Sequence, residues 1–459
     1  MKHITESILI LLLSLSIIIM SGCTSKNDDA ENIPTTEELL ASQYDEACSA
    51  LGESCSTDKI LEYVKNWADD KGLETVVNNN NILVISSDPS EGHSEDLSTK
   101  IHCTVTGKDN LSEMQYLSEL MYVISNAKKH GKIYGIVSTQ AGNRNIPEIY
   151  RDTDNFITLF SSDDNSVLNE TAYSRSYKVS KDINWTSPRF KKAYKISISG
   201  LRGGNITDVS EGHPNPILQL NSIMAKWNTS GYLYDIASFS GGTGPGKYGN
   251  SASITVVISE NDEEKFLSRI EKQQSSFNKK YGDDEENYEF TVEEVDIPDR
   301  VMTSDSANSC ISLLYTMITG DYTPDDENEY EDTVAYSNIG RFSISASSAV
   351  LKMQIYSMDK DIFDEMDDAV KTIGEISDFK VSVIANYPYW RESVNSRLFA
   401  DLNSLTEAGL EPYSSFGVTV CTTVYKHNSN TECIGIGINF DNWADRSDML
   451  TDYLKSTQK

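Results

Sequence analysis

Residues 101–138 read IHCTVTGKDNLSEMQYLSELMYVISNAKKHGKIYGIVS, and this stretch decides the fold class. Short apolar runs at 101–106 and 133–138 predict two strands, and the 3.6-residue periodicity of 111–130 predicts a helix between them. Working outward, we predict two helices within 37–72 and further strands at 82–86 and 156–160. Strands that alternate with helices predict an α/β domain with a parallel-rich sheet covered on both faces.

From residue 193 the pattern changes to two successive α+β units. The first has strands at 193–199, 232–239, 252–259 and 288–296 and helices at 216–228 and 262–281. The second has helices at 306–319 and 360–375 and strands at 333–346, 349–357 and 379–385. This repetition predicts a duplicated, two-lobed domain inserted into the α/β domain. After it, a helix at 398–408 and strands at 415–425 and 432–439 are expected to rejoin the parallel sheet. The expected domain boundaries are 36–189 and 386–459 for the split α/β domain and 190–385 for the insert.

The N-terminus carries a targeting pattern. Lys2 and His3 precede an apolar run of 13 residues at 8–20, which ends in Met-Ser-Gly-Cys at Cys23. This resembles a bacterial lipoprotein signal, in which Cys23 receives the lipid. An ordinary signal or a membrane anchor is the alternative, but a span needs about 20 apolar residues. We therefore expect a signal peptide at 1–22, a lipidated Cys23 with a polar tether at 23–35, and an extracytoplasmic protein whose lipid binds the membrane.

Charge and cysteine content exclude several classes. The chain has 39 Lys plus Arg against 70 Asp plus Glu, a net charge of -31, and no basic cluster in its sequence, which disfavours nucleic-acid binding. Beyond Cys23 there are six cysteines and no CxxC motif, so a thiolate zinc site is not expected. Cys421 and Cys433 end a predicted hairpin and could oxidise outside the cytoplasm. The alternative is that the cysteines are small buried apolar residues.

Four short motifs suggest a family. The chain contains GKDN at 107–110, LRGG at 201–204, SGGT at 240–243 and NYPYW at 386–390, followed by Asn395 and Ser396. Their order and spacing resemble those of bacterial aminoacyl-histidine dipeptidases, which are carnosinase-like di-zinc metallopeptidases with an inserted two-lobed lid. The resemblance covers about residues 48–454. It implies a catalytic α/β domain split around a lid.

The resemblance also implies a metal site, part of which this chain keeps. Such an enzyme needs two zinc ions bridged by a carboxylate, further His and Asp or Glu ligands, and a free Glu that deprotonates the bridging water. Asp109 occupies the bridging-ligand position and Asp163 another carboxylate position. The structural alternative for both is helix capping and strand-end hydrogen bonding. The His-x-Asp pair falls on Val105 and Gly107, whereas a shifted register would retain His102.

The remaining positions implied by the resemblance do not carry the residues that catalysis and metal binding require. The segment that should carry the base and a ligand has Thr139 at the general-base position and Gln140 at the ligand position. The lid Gly-Gly-His ends in Asn205, and His213 is a possible replacement for the missing imidazole. The C-terminal Gly-Pro-His has no counterpart in GIGINF at 435–440. A hydroxyl cannot act as a general base near neutral pH.

We therefore interpret the sequence as a catalytically inactive dipeptidase relative with no cofactor expected. It would bind a peptide, an amino-acid derivative or a protein partner in a cleft between the α/β domain and the lid. The candidate cleft residues are Asn205, Gly241, Gly242, Thr243, Tyr387, Tyr389 and Trp390. For the three aromatic residues, a core at the lid hinge is the alternative. The alternative function is an active dipeptidase with a rearranged zinc site that uses His102, Asp109 and Asp163.

The segment GGTGPGKY at 241–248 nearly matches a phosphate-binding loop. Tyr248 replaces the hydroxyl that binds Mg²⁺, and the residues that follow predict a strand where the loop mechanism needs a helix. Nucleotide binding is therefore not expected here.

Overall fold

A computed structural model describes residues 34–78, 81–93, 98–107, 110–139, 150, 153–162, 166–206, 213–322, 335–407, 409–417 and 419–456. The predicted signal peptide and Cys23 lie outside these residues. Within the described ranges, no helix is long and apolar enough to cross a membrane.

Ten α-helices form in the described residues: α1 (Thr36–Leu51), α2 (Thr57–Asp70), α3 (Asn110–Asn126), α4 (Pro216–Thr229), α5 (Glu263–Tyr281), α6 (Ser304–Thr316), α7 (Lys360–Ile376), α8 (Arg397–Asn403), α9 (Val420–His427) and α10 (Trp443–Ser456). Several start at side-chain caps, which satisfy the free N–H groups of the first turn. Thr35 caps α1 in a capping box with Glu38, and Asn215 caps α4 just before Pro216. These caps fix where the helices begin.

The strands, in chain order, are β1 (Glu74–Asn78), β2 (Ile82–Ser87), β3 (Ser98–Thr104), β4 (Lys132–Ser138), β5 (Asn155–Ser161), β6 (Ser166–Thr171), β7 (Tyr173–Asp182), β8 (Trp185–Thr186), β9 (Lys192–Ser199), β10 (Gly204–Asn205), β11 (Tyr234–Gly242), β12 (Lys247–Tyr248), β13 (Ala252–Ile258), β14 (Glu289–Val295), β15 (Val301–Met302), β16 (Gly320–Asp321), β17 (Ala335–Ile344), β18 (Ser348–Ser357), β19 (Lys380–Tyr387), β20 (Trp390–Arg391), β21 (Glu411–Ser415) and β22 (Glu432–Ile438).

The first sheet has nine strands in the order β1-β2-β4-β3-β5-β22-β6-β20, with β21 beside β6. Strands β4, β3, β5 and β22 are parallel, whereas β1, β2 and β20 pair in antiparallel fashion. The α/β class is therefore confirmed, although the sheet is mixed. Alternate residues of β2 show that both faces are covered: Leu83 and Ile85 pack on one side, Ile82 and Val84 on the other.

The second sheet also has nine strands, in the order β14-β9-β13-β11-β17-β18-β7-β19, with β16 beside β17. It consists of two halves with the same topology. Each half contains a strand, a helix, two strands, a helix and a strand, and the first strand lies between the last two in the sheet. Strands β11 and β17 join the halves through three residue pairs. Helices α4–α7 cover one face with a single apolar core.

The duplication differs from the sequence expectation in one respect. The second half takes its first strand, β7, from upstream of the whole first half. The first half is therefore inserted into the second. The sequence placed the start of the insert at residue 190, and the first strand of the second sheet begins at Tyr173.

Two C-terminal elements also differ from prediction. The strand expected at 415–425 is wrong, because residues 420–427 form helix α9. The β-branched run that suggested a strand is overridden by a capping box between Thr419 and Thr422 and by burial of Cys421 and Val424 against the first sheet. The predicted Cys421–Cys433 hairpin is therefore absent, and both thiols are reduced and buried. Helix α8 is shorter than predicted and ends at Asn403.

Candidate functional site

The carboxyl ends of the parallel strands β4, β3, β5 and β22 lie along one edge of the first sheet. In open α/β sheets, this edge is where ligands bind. The described side chains at this edge come from Thr104–Thr106, Ser138, Thr139, Ser161, Ser162 and Asn439. Asp109, Gln140 and Asp163 lie outside the described residues.

His102 lies inside the sheet, fully buried. Its Nδ1 lies 3.0 Å from Thr158 Oγ1, and its Nε2 lies 2.8 Å from Ser138 Oγ. The ring stacks on Phe156 and meets Tyr150 edge-on. Burial lowers the pKa of His102 to about 3, so the ring is neutral. The two hydroxyl groups of Thr158 and Ser138 thus occupy both ring nitrogens of this neutral histidine.

Thr139 follows β4 and is half-buried. Its backbone N–H donates to the carbonyl of Asn81, 2.9 Å away, which continues the pairing of β2 and β4. Its neighbour Ser138 is 2% exposed and contacts both His102 and, at 3.4 Å, Thr104. The end of β4 thus offers hydroxyl groups, which are weak bases and weak metal ligands.

The loop after β3 is held by Glu113 of helix α3. One carboxylate oxygen accepts the backbone N–H of Thr106 at 2.8 Å and its hydroxyl at 2.5 Å, and the other accepts the N–H of Gly107 at 2.9 Å. Gly107 has a φ of 71°, and a Cβ there would lie 2.2 Å from the carbonyl oxygen of Cys55. Glu113 therefore has a structural task, which the sequence signalled only as an acidic residue in a first helical turn.

At the end of β22, the side chain of Asn439 holds the turn that precedes helix α10. Its side-chain oxygen accepts the N–H groups of Asp441 and Asn442, and its amide donates to the carbonyl of Ser162 at 3.0 Å. Gly437 packs against β5, since a Cβ there would lie 2.5 Å from the Cβ of Ser162. The GIGINF segment thus builds a tightly packed strand and a helix start.

A di-zinc site requires imidazole and carboxylate ligands. In the described ranges, no group of three or more His, Cys, Asp or Glu side chains is placed to hold a metal ion. At the sheet edge these ranges offer hydroxyl and amide groups, while the Glu113 carboxylate and the nearest imidazole are both occupied by hydrogen bonds. The described part of the edge therefore does not fit a zinc pair.

Asn205 lies in β10, which pairs with β12 in a separate two-stranded sheet, where Asn205 stands opposite Lys247. We call this pair of strands, whose residues are 42 positions apart in the chain, the Asn205 hairpin. The Lys247 ammonium donates to the Asn205 side-chain oxygen, and the hydroxyls of Tyr248 and Tyr336 are hydrogen-bonded to each other. The His213 ring lies 5.0 Å from that of Tyr248. The structure thus brings His213 beside the Asn205 hairpin, as its suggested replacement role would require.

The glycine motif lies beside this hairpin. Gly241 and Gly242 end β11, and Thr243 is exposed in the turn that follows. Gly242 has a φ of 71°, and a Cβ there would lie 2.1 Å from the carbonyl oxygen of Gly340. A side chain at position 242 would therefore clash where the two halves of the second sheet pack closely, which explains why this residue is glycine. The strand predicted after the GGTGPGKY segment is confirmed as β13.

The aromatic residues lie where the chain crosses between the two sheets. Strands β6 and β7 make one crossing, and β19 and β20 make the other, side by side. The rings of Tyr173 and Tyr389 stack across the crossings at 5.5 Å, and Trp390 is fully buried. Tyr389 donates to Glu170, while Lys426 lies 5.1 Å from the Tyr387 ring. These three residues form the joint between the two sheets.

A further contact links the hairpin to the first unit. Ile206, directly after β10, packs with Tyr356, and the Tyr356 ring meets that of Phe416 at 6.5 Å. Sequence analysis missed Phe416, Tyr336 and Lys247 as members of this region, because their proximity depends on how distant strands pair.

The two-sheet architecture has a solved counterpart. The aminoacylhistidine dipeptidase from Vibrio alginolyticus superposes with a TM-score of 0.63 at 15% identity, over 90% of this chain and 96% of that chain. The chain has the fold of that dipeptidase. A tripeptidase from Staphylococcus aureus gives a TM-score of 0.49 at 11% identity, with coverage of 91% and 98%. Human carnosine dipeptidase 1 gives 0.43 at 7% identity, with coverage of 92% and 98%.

No family model and no curated protein matches the sequence. The similarity to the Vibrio dipeptidase therefore shows the dipeptidase fold, and the chemistry rests on the residues of this chain.

Proposed function

We propose that this protein is a lipid-anchored, extracytoplasmic binding protein that uses the dipeptidase fold to hold a peptide or amino-acid derivative between its two sheets without hydrolysing it. One observation carries the proposal: both nitrogens of His102 are hydrogen-bonded to hydroxyl groups inside the sheet. The imidazole nearest to the site edge is thus part of the core.

The inactive state is supported by the neighbouring groups. Thr139 stands where the resemblance implies a general base, and its hydroxyl cannot take a proton from water near neutral pH. The Gly-Pro-His motif that the resemblance implies near the C-terminus has no counterpart, and after β22 the side chain of Asn439 instead accepts the N–H groups of Asp441 and Asn442. Without imidazole ligands and a general base, water would not be activated.

Binding is supported by the Asn205 hairpin. Lys247 is exposed, and it lies beside the amide of Asn205. An ammonium and an amide side by side suit the carboxylate of a peptide or amino acid. The hairpin also lies next to Phe416 of the first unit through Ile206 and Tyr356. The ligand would therefore meet both sheets there.

The experiment is a dipeptide panel on the soluble body, residues 24–459, read for released amino acids and for a rise in melting temperature. We expect a rise in melting temperature with no hydrolysis, with or without Zn²⁺, Mn²⁺ or Co²⁺. Carboxyl-amidated dipeptides should bind more weakly. Lys247→Met should reduce the shift, and Lys272→Met, an exposed lysine of α5, is the matched control.

Restoring the acids tests the catalytic half of the proposal. The Thr139→Glu/Gln140→Glu variant should still hydrolyse nothing, because the imidazole ligands remain absent. Metal-dependent hydrolysis by the natural protein that Asp109→Ala abolishes would overturn the proposal and establish the active dipeptidase. Absence of any ligand-induced shift across the panel would overturn the binding half.

Metal content provides a second test. We expect the purified body to contain no stoichiometric zinc after mild dialysis, measured by elemental analysis. One or two zinc ions per chain would contradict the proposed loss of the site.

Anchoring has its own test. Cys23→Ala should leave the protein released or unprocessed, since the lipid on Cys23 is the proposed attachment. Fractionation that finds the cleaved variant still firmly bound to membranes would disprove this part alone.

A further inference from the structure

Helices α4–α7 cover one face of the second sheet, and the opposite face carries hydroxyl and positively charged side chains along its centre. Its two ends are covered: Val301 of β15 packs at one end with Ala193 and Val257, and Ile206 packs at the other on Tyr356. Between these ends the side chains are exposed or half-buried. We call this central band the open face. Two shallow cavities of about 570 and 800 Å³ lie on it, one on each half of the sheet.

A row of hydroxyl groups crosses the open face from strand to strand. Directly opposed residues on β14, β9, β13, β11 and β17 are all serine or threonine, namely Thr291, Ser197, Ser253, Ser240 and Ser343. The row continues through Val350 and Ser180 to Lys380. It crosses seven strand spacings of about 4.8 Å, so it is roughly 34 Å long.

The adjacent row carries positive charge. Arg341 of β17 stands directly opposite Lys352 of β18, which in turn stands directly opposite Lys178 of β7. Arg341 and Lys178 are exposed and Lys352 is half-buried. In the part of the chain that the structure describes, none of the three forms an ion pair with a carboxylate. We call these residues the cation row.

The cation row is costly for the isolated protein. Like charges directly opposite each other on neighbouring strands destabilise a sheet. The chain has 70 acidic residues, and none of those in the described ranges neutralises this row. Such a cost is expected where a ligand supplies the missing negative charge.

The overall charge of -31 does not prevent anion binding at this face. At physiological ionic strength, interactions between exposed charges fade beyond about 8 Å. Within that range the ligand would meet Arg341, Lys352, Lys178 and the hydroxyl row. The acids on or beside the face are Glu289 and Glu293 of β14, of which Glu293 stands opposite Lys195, and Asp182 at the end of β7. Glu375 and Asp378 also line the larger cavity, where Asp378 forms an ion pair with Lys181.

The chemistry of the face selects the partner. The two rows contain a single apolar side chain, Val350, and no aromatic ring, which disfavours a peptide that docks through apolar anchors. Hydroxyl donors beside lysine and arginine suit phosphate oxygens, which accept several short charge-assisted hydrogen bonds. The length of the hydroxyl row favours an extended ligand over a single ion.

We propose that the open face binds a linear phosphate polymer that lies along the hydroxyl row, with phosphate oxygens on both the hydroxyl groups and the adjacent cation row. This site adjoins the Asn205 hairpin, because Ile206 directly after β10 covers one end of the open face, but its charged residues are different ones. It is invisible in the sequence, because residues 178, 341 and 352 meet only through strand pairing.

The test is isothermal titration of the soluble body with inorganic polyphosphate, at two salt concentrations. We expect binding that weakens as salt rises, and no binding of orthophosphate at equal total phosphate. The Lys178→Gln/Lys352→Gln variant should bind about tenfold more weakly. The matched control is Lys272→Gln/Lys279→Gln, which removes two exposed lysines of α5 on the other side of the sheet and should bind normally.

Melting temperature without ligand separates this role from a structural one. The Lys178→Gln/Lys352→Gln variant should melt at the same or a higher temperature, because it removes a repulsion. A lower melting temperature would show that these lysines stabilise the fold and would overturn the argument.

Binding of other polyanions tests which class of ligand the open face recognises. Poly-glutamate binding as tight as that of polyphosphate would assign the face to acidic peptides, and tighter heparin binding would assign it to sulfated polymers. Either result would overturn the proposal, as would equal loss of polyphosphate binding in the control variant.

Discussion

The two units of the molecule bury their titratable groups in different ways. In the first unit, His102 is neutral among hydroxyls, and Glu119 of α3 is 0% exposed with no hydrogen-bond partner for either carboxylate oxygen among the described residues. In the second unit, Asp367 of α7 accepts hydrogen bonds from Arg175, Tyr177 and Lys371. His102 and Glu119 thus have no charged hydrogen-bond donor among the described residues, whereas Asp367 has two, Arg175 and Lys371.

The pKa values follow from these partners. Burial raises the pKa of Glu119 well above its ordinary value, although the positive charge of Arg446 acts in the opposite direction. Burial would also raise the pKa of Asp367, but hydrogen bonds from Lys371, Tyr177 and Arg175 lower it overall. Burial alone therefore does not decide whether a carboxyl group is charged. The hydrogen-bond donors around the group decide.

The largest expected effect is in the second unit. Asp367→Ala leaves Arg175 without its carboxylate partner in a partly buried position, so we expect a loss of about 3–5 kcal/mol in the free energy of unfolding. Urea denaturation would measure it. The matched control is Asp368→Ala on the same helix, whose side chain is 80% exposed and should cost less than about 0.5 kcal/mol. Equal effects would remove the contrast between the units.

The next effect concerns acid stability of the first unit. The pKa of His102 is about 3 in the folded protein and about 6.5 when unfolded, so the unfolded chain binds more protons below pH 6.5. The stability should therefore fall by about 3 kcal/mol between pH 6.5 and 4 because of this group alone. His102→Gln should flatten this slope.

His427→Gln is the control for that measurement, because His427 is exposed in helix α9. Its substitution should leave the pH dependence unchanged. A His102→Gln variant with the slope of the natural protein would mean that His102 is not buried as a neutral ring.

The smallest effect is a loss of stability as pH rises, which is opposite in direction to the effect of His102. Because the pKa of Glu119 is raised on folding, the stability should fall as pH rises above about 4.5. Glu119→Gln should remove this dependence and stabilise the protein by about 1–2 kcal/mol at pH 8. Glu62→Gln, at an exposed position of α2, should do neither. Destabilisation by Glu119→Gln at pH 8 would mean that Glu119 is ionised there.

Local patterns predicted most elements, but not how they combine. The helix at 111–130 and the strands around it followed from periodicity, and so did both α+β repeats. Strand β7 was missed because YSRSYKVSKD has few apolar residues and depends on β18 and β19 for its structure. Helix α9 was read as a strand because its β-branched run outweighed a cap that becomes visible only in three dimensions.

The candidate site was less accessible from sequence for the same reason. The sequence identified His102 but not Ser138 and Thr158, which come from other strands and engage its nitrogens. It likewise identified Asn205 without Lys247, because the β10–β12 hairpin brings together residues 42 positions apart. A sequence shows which side chains are present. Which neighbours occupy their hydrogen-bonding groups depends on how distant strands pair.

The insertion of one half of the second sheet into the other imposes an order on biosynthesis. Ser174 of β7 hydrogen-bonds Gln354, 180 residues later, and Arg175 hydrogen-bonds Asn386, 211 residues later. A growing chain therefore carries β7 as an unpaired strand while the whole first half folds beyond it. Contacts of such long range slow folding, and an unpaired strand edge invites aggregation. Until β18 and β19 have been synthesised, the nascent chain thus depends on a chaperone, or on the low apolar content of β7 itself, to keep that edge soluble.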